Sequence, residues 1–213
     1  MINIHVKEIN DKWFGLACAG EQIAATSIGP TRQMVLGNIC RCLPAGAKRQ
    51  IIQECSAYLE KTMLMLAELE EGNEQRKSFS LAGDCVAEPL ARVLKTAASI
   101  PMGYVTSYGN IAKASDSDPR VVGRIMATNP LYPIVPCHRV VGADLSLVGY
   151  RGSKDKASLR AKLDRLRREA KGYTEAKEVA IDGRNLRVYP VEWALKKADR
   201  ASSTSSCQMT LFE

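Results

Sequence analysis

The stretch SYGNIAKASDSDPRVVGRIMATNP, residues 107–130, decides how this chain is organised. Ser107 stands where a hydroxyl caps a helix, and Tyr108, Ile111 and Ala112 give that helix an apolar side. The polar turn Ser115-Asp116-Ser117 ends it. Asp118-Pro119 supplies a cap and a proline at the first position of a second helix through Val122, Ile125 and Met126, which Asn129-Pro130 stops. Helix, short turn, helix is the outline of a helix-turn-helix. The polar edge of the second helix carries Arg120 and Arg124.

Outward from this centre, Leu90, Val93, Leu94 and Ala97 space as one face of a helix ending at the turn Ile100-Pro101-Met102-Gly103. Downstream, an apolar strand-like run is broken by Pro136-Cys137-His138-Arg139 and resumes at Val140-Val141. Gly149-Tyr150-Arg151-Gly152 reads as a turn, and Leu159, Leu163, Leu166 and Ala170 mark another helix. Ile181–Leu186 reads as a tight hairpin. The N-terminal residues 1–30 read as a β meander turning at Ala19-Gly20-Glu21. A helical period covers 47–71, and Phe79–Leu81 reads as a returning strand. The fold class is α/β (α+β): a small α/β domain over 1–82, a mainly helical domain over 87–195 and a flexible tail over 196–213.

The chain has 213 residues and a net charge of +7. Residues 151–171 hold nine basic and three acidic side chains, the charge pattern a polyanion would engage and equally that of a solvated helix face. No apolar run reaches the roughly 20 residues that span a bilayer, and the first residues lack the features of a signal peptide. A soluble, cytoplasmic protein is expected, nuclear if the source is eukaryotic. Seven cysteines at irregular spacing favour free thiols, and Cys40-Arg41-Cys42 is too tight for a zinc knuckle. No metal or cofactor is expected.

Cys137 differs from the other cysteines in its neighbours. A thiolate is the nucleophile, and a histidine or nearby cation promotes it. On a strand, Cys137 and His138 would point to opposite sides. They can cooperate only if Pro136 breaks the strand or a water bridges them. A histidine base needs a third group to fix its tautomer; Glu169 is the first candidate, with Asp164 behind it. Such a relay suits cysteine hydrolases as well as alkyl transfer.

Pro136-Cys137-His138-Arg139-Val140 resembles the active-site motif of the O6-alkylguanine-DNA alkyltransferases. Ile100-Pro101-x-Gly103, Ser107-Tyr108-Gly109, Arg120-x-Val122-Gly123, Asn129-Pro130 and Gly149-Tyr150-Arg151 follow that family's order. The resemblance covers residues 88–172 closely and 1–82 in outline. It implies single-turnover repair: Cys137 takes the alkyl group from O6 of guanine in double-stranded DNA, His138 deprotonates it through a water, and Glu169 orients His138. Tyr108 would donate to the base, and Val148, Gly149, Tyr150 and Arg151 would line the alkyl pocket. Asn129 would be a hinge to the active-site strand. Arg120 would fill the space of the flipped nucleotide, with Ser107, Arg124 and Arg139 as further DNA contacts. Base flipping is required because O6 inside a duplex cannot reach a buried thiol.

The chain departs from the family by about five extra residues within 153–161 and by the larger Val121, Arg124 and Ile125 on the second helix. Gln208-Met209-Thr210-Leu211-Phe212 resembles a docking peptide for sliding clamps of the PCNA type, through Gln208, Leu211 and Phe212. A monomer is expected. Two rivals remain: a non-catalytic lesion sensor, which would not need Cys137, and a multiple-turnover cysteine hydrolase, which would not need Arg120.

Overall fold

Strand formation at the N-terminus follows from β-branched and aromatic residues in alternation. In the computed structural model, which describes residues 1–53, 56–73 and 88–209 with side chains to 201, β1 (Ile2–Ile9), β2 (Lys12–Ala19) and β3 (Gln22–Gly29) form an antiparallel meander. The short β4 (Arg49–Ile51) joins β1 in parallel, giving the order β3-β2-β1-β4. Helix α1 (Arg32–Cys42), capped by Thr31, packs Val35 and Ile39 against Ile4, Ala17 and Ala25. Gly15 permits that approach, since a Cβ there would meet Val35 and Ile39 at 2.4 and 2.6 Å. Helix α2 (Ala57–Glu71), capped by Ser56, buries Leu59, Met63 and Leu66. Each such side chain contributes about 1.5–3 kcal/mol by leaving water.

Two expectations change in this unit. The period over 47–71 begins with a strand: residues 49–51 pair with β1, and the Ile52 N–H donates to Ile4 O at 2.9 Å, which satisfies the backbone without a helix. Helix α1 escaped the sequence reading because only Val35 and Ile39 are buried on it. The expected strand Phe79–Leu81 lies outside the described residues.

Contacts divide the chain into two units, residues 1–91 with 128–135 and residues 92–127 with 136–213. The inserted segment 128–135 is fixed within the first unit. Thr26 donates from its backbone to Pro130 O at 2.7 Å and from its hydroxyl to Tyr132 O at 2.8 Å. The Tyr132 hydroxyl donates to the buried Glu70 carboxylate at 2.6 Å.

The second unit takes most of α3 (Glu88–Ala98), then β5 (Tyr104–Ser107), α4 (Tyr108–Ser115) and α5 (Pro119–Ala127). The Ser107 hydroxyl accepts from Asn110 N at 3.1 Å and so caps α4. Asp118 Oδ1 accepts from Arg120 N at 2.7 Å at the start of α5. Only Asp116-Ser117-Asp118 separates the two helices, with Asp116 in the left-handed region at φ 53. A 3₁₀ turn (Cys137–Arg139), β6 (Val140–Val141) and α6 (Lys156–Arg168) follow, then the hairpin β7 (Lys177–Ile181) and β8 (Arg184–Pro190), and α7 (Val191–Met209).

The sheet order β6-β5-β8-β7 makes this unit less purely helical than expected. The hairpin adds two strands because Tyr104 and Val105 pair with Pro190 and Tyr189. Val105, Val141, Leu166, Val191 and Ala194 form a core cluster. Residues 196–209, expected as flexible tail, continue α7. Val191 and Ala194 anchor its start, and no proline or glycine interrupts 191–209. Among the described residues no helix is long and apolar enough to cross a membrane. The docking peptide's side chains at Gln208, Leu211 and Phe212 lie outside the described set.

Candidate active site

The geometry at Cys137 begins with Pro136, whose φ of −81 and ψ of 72 depart from a strand. The Arg139 N–H then donates to Pro136 O at 2.9 Å, and the Val140 N–H returns to Cys137 O. With about three residues per turn, successive side chains rotate rather than alternate. Cys137 therefore faces a cavity while His138 and Arg139 both reach a carboxylate. The break that the sequence required of Pro136 is present.

That carboxylate is Glu169, at the end of α6. His138 Nε2 lies 2.7 Å from Glu169 Oε1. Arg139 donates through Nε to Oε2 at 2.8 Å and through Nη2 to Oε1 at 2.9 Å. Its Nη1 donates to Ile100 O at 2.7 Å. Asp164, the fallback, is half-exposed and pairs with Arg167 at 3.8 Å. Glu169 is the residue brought to His138.

Burial pushes the Glu169 carboxyl up, but His138 and Arg139 outweigh it and hold the pKa at about 2. Burial lowers the pKa of His138, against the opposing pull of Glu169. At neutral pH the pair is thus a carboxylate and a neutral imidazole. The carboxylate can only accept, so Nε2 carries the proton and Nδ1 is the basic nitrogen. This is the tautomer a base toward Cys137 needs.

Lys162, one of the basic residues of 151–171, was given no role in the site by the sequence. Its side chain is fully buried, and Nζ donates to Val140 O at 2.5 Å and Gly149 O at 2.9 Å. Burial lowers its pKa to about 8, while Cys137 pulls the other way. It ties the strand after the nucleophile to the loop at Gly149. A lysine inside an apolar helical stripe was the signal available for it.

Cys137 opens on a cavity of about 470 Å³ lined by Tyr108, by Pro119, Arg120, Gly123, Met126 and Ala127 of α5, and by residues 148–154. Val148, Gly149, Tyr150 and Arg151 are therefore gathered as expected. Gly149 holds φ 149, and a Cβ there would sit 3.2 Å from Ser153 O. Burial, then the Cys137 charge, raises the Tyr108 pKa above its ordinary value, so its hydroxyl stays a donor at neutral pH. Arg120 is exposed at the rim, and Arg124 is exposed one turn later without lining the cavity. Met126, Pro119 and Lys154 were not anticipated as lining residues.

Two of the residues expected as DNA contacts are engaged within the protein. Arg139 is only 8% exposed, and its guanidinium is taken up by Glu169 and Ile100 O. Ser107 is buried with its hydroxyl committed to the α4 cap. Asn129 bonds within the 128–135 segment: Nδ2 donates to Val135 O at 2.7 Å, and Oδ1 accepts from Leu131 N at 3.0 Å. It shapes the backbone two residues before Pro136-Cys137. Among the described residues, no three His, Cys, Asp or Glu side chains cluster as a metal site requires.

Residues 89–171 match the family described as 6-O-methylguanine DNA methyltransferase, DNA binding domain. The methylated-DNA–protein-cysteine methyltransferase of Pyrobaculum aerophilum is 57% identical over 53 residues, which is 25% of this chain and 36% of that protein. The chain thus spans about a third of that relative's length in the match. The protein of the same name from Mycobacterium leprae is 31% identical over 157 residues, covering 72% of this chain and 87% of the relative. Among solved structures, Mycobacterium tuberculosis OGT in complex with DNA superimposes with TM-score 0.54 at 23% identity, over 76% of this chain and 94% of that one. At that identity the likeness speaks for the fold alone.

Proposed function

This chain belongs to the methylated-DNA–protein-cysteine methyltransferase family, and on that premise we propose that it repairs O6-alkylguanine in double-stranded DNA by moving the alkyl group irreversibly to Cys137. One observation carries the reading: the buried thiol faces a cavity with the Tyr108 hydroxyl, while the next residue, His138, is held by Glu169 in its Nδ1-basic form.

In this scheme His138 Nδ1 takes the Cys137 proton, directly or through a water. The thiolate attacks the alkyl carbon, the Sγ–C bond forms, and the C–O6 bond breaks. Its electron pair passes to the purine, which takes up a proton with Tyr108 as donor. Glu169 stabilises the imidazolium and Arg139 keeps Glu169 ionised. No step regenerates the thiol, so each molecule acts once.

DNA engagement is assigned to α4 and α5. The base leaves the stack at a cost of a few kcal/mol, and Arg120 at the cavity rim fills the gap. Asn129 sets the backbone leading into Cys137. The C-terminal Gln208, Leu211 and Phe212 are proposed to dock on a sliding clamp, on the strength of their sequence; peptide 200–213 should bind with Kd below about 100 μM, or roughly −5.5 kcal/mol.

Intact-protein mass after incubation with a duplex bearing one O6-methylguanine tests the main reading. One CH₂ per molecule, mapped to Cys137 and absent from Cys137→Ala, is the expected outcome. Lesion binding without any mass gain would make the protein a sensor instead.

A further inference from the structure

One wall of the cavity continues beyond the residues expected to line the alkyl pocket. Residues 150–153 close a tight turn, with Tyr150 N–H donating to Ser153 O at 2.8 Å and Ser153 N–H donating to Tyr150 O at 3.0 Å. Arg151 takes a left-handed φ of 49 at its apex. Gly152 packs near α5, since a Cβ there would lie 3.6 Å from Ala127 O. This turn leads into Lys154, which lines the cavity, and then into Lys156 and Arg160, one helical turn apart on α6.

All three side chains are exposed, and none makes an ion pair among the described residues. The carboxylate among them, Asp155, is already engaged. It caps α6 by accepting from Ser158 N at 2.6 Å, and it is bonded to the Ser153 hydroxyl. Cations elsewhere on α6 differ: Lys162 is buried on carbonyls, and Arg167 pairs with Asp164 and Asp199. This exposed row of cations, which begins at the lining of the cavity, makes no ion pair among the described residues. Its chemistry matches successive phosphates of a strand whose nucleotide enters that cavity.

We infer that Lys154, Lys156 and Arg160 form a phosphate-binding rail that grips the DNA backbone beside the flipped nucleotide, complementing Arg120 on the α5 wall. The rail falls in the segment where this chain is longer than its family's usual spacing. The inference rests on the alkyl-transfer reading, and its test separates the two.

The variant Lys154→Gln/Lys156→Gln/Arg160→Gln removes the three charges of the rail. Its affinity for an O6-methylguanine duplex is measured from ~50 to ~200 mM salt, where each phosphate contact contributes about 0.9 to the log–log slope. With all three engaged the slope magnitude falls by about 2.7, so the variant loses about 40-fold less affinity than wild type across that range. In the double variant Lys156→Gln/Arg160→Gln, which leaves the cavity lining intact, alkyl transfer to Cys137 from an O6-alkylated guanine free base, which has no phosphate, stays at the wild-type rate. A control with the same charge loss in the N-terminal unit, Arg32→Gln/Arg41→Gln/Lys48→Gln, leaves the slope unchanged. An unaltered slope in the rail variant, or an equal fall in the control, overturns the rail. Absence of alkylation of wild-type Cys137 by either substrate overturns the functional reading instead.

Discussion

Replacing Glu169 with glutamine should cost the protein both its chemistry and its acid-dependent stability. The carboxylate is buried and accepts from His138 and twice from Arg139. Its pKa of about 2 against an ordinary 4.5 corresponds, at ~1.36 kcal/mol per unit, to about 3 kcal/mol of native-state stabilisation. Because the folded value is depressed, that stability is present above pH 4.5 and is lost as pH falls toward 2. His138, also depressed, adds a loss of the same sign below its ordinary 6.5. Glutamine leaves Arg139 buried without an opposing charge, a change that typically costs about 3–5 kcal/mol. Urea unfolding of wild type and Glu169→Gln from pH 7 to pH 3 reads both quantities. The variant should be about 3 kcal/mol less stable at pH 7, with the gap narrowing as the wild type acidifies. Transfer from an O6-methylguanine duplex should slow by about 10²-fold, the scale of a positioned base. A stability difference below 1 kcal/mol at pH 7 together with a transfer rate within twofold would refute the arrangement assigned to Glu169.

Further outcomes follow from the same geometry. The transfer rate should be flat above pH 6.5 and fall on acidification as His138 protonates, with the acid limb displaced to lower pH in Glu169→Gln, since Glu169 raises the imidazole pKa; a limb displaced upward contradicts the assignment. Wild-type stability should rise from pH 8 to 10.5 as the depressed Lys162 ceases to oppose folding, and Lys162→Met should abolish that rise in pH-dependent denaturation. The same variant frees Val140 and Gly149 from their shared donor, so transfer should slow more than tenfold at unchanged DNA affinity. Tyr108→Phe should slow transfer by about 10²-fold, the lower range for a lost proton donor, with single-turnover kinetics as the readout. Leu166→Ala, at a fully buried core position, should cost about 2–5 kcal/mol in thermal or urea unfolding.

The second unit was legible because its helices advertise their ends. Ser107, Asp118 and the Asn129-Pro130 stop are local signals that need no tertiary context. Cys137, His138 and Glu169 were legible through motif and spacing together, and spacing alone left Asp164 open; only the turn of α6 decides between carboxylates five residues apart. The bonds of Arg139 to Glu169 and Ile100 O were not legible, because a cation beside an active-site cysteine reads first as a contact for DNA. Its burial depends on Ile100 and Glu169, which are distant in sequence. The strand at 49–51 and helix α1 were missed for a related reason: an exposed edge strand and a helix with two buried residues carry almost no periodic signature. The unbroken α7 shows propensity and anchoring overriding a Ser/Thr-rich composition.

The place of Thr128–Val135 in the N-terminal unit has a consequence for dissection. Matched family residues 89–171 look like an excisable module, yet eight of them cluster with residues 1–91. Leu131 and Tyr132 are each 3% exposed, and their surroundings include Thr26 and Glu70. A fragment starting near residue 88 would keep the nucleophile but strip the tether from the loop that delivers it. Truncation boundaries, domain swaps and split-protein reporters built on linear order would therefore cut through a folding unit, and the natural breakpoints of this chain do not follow its sequence.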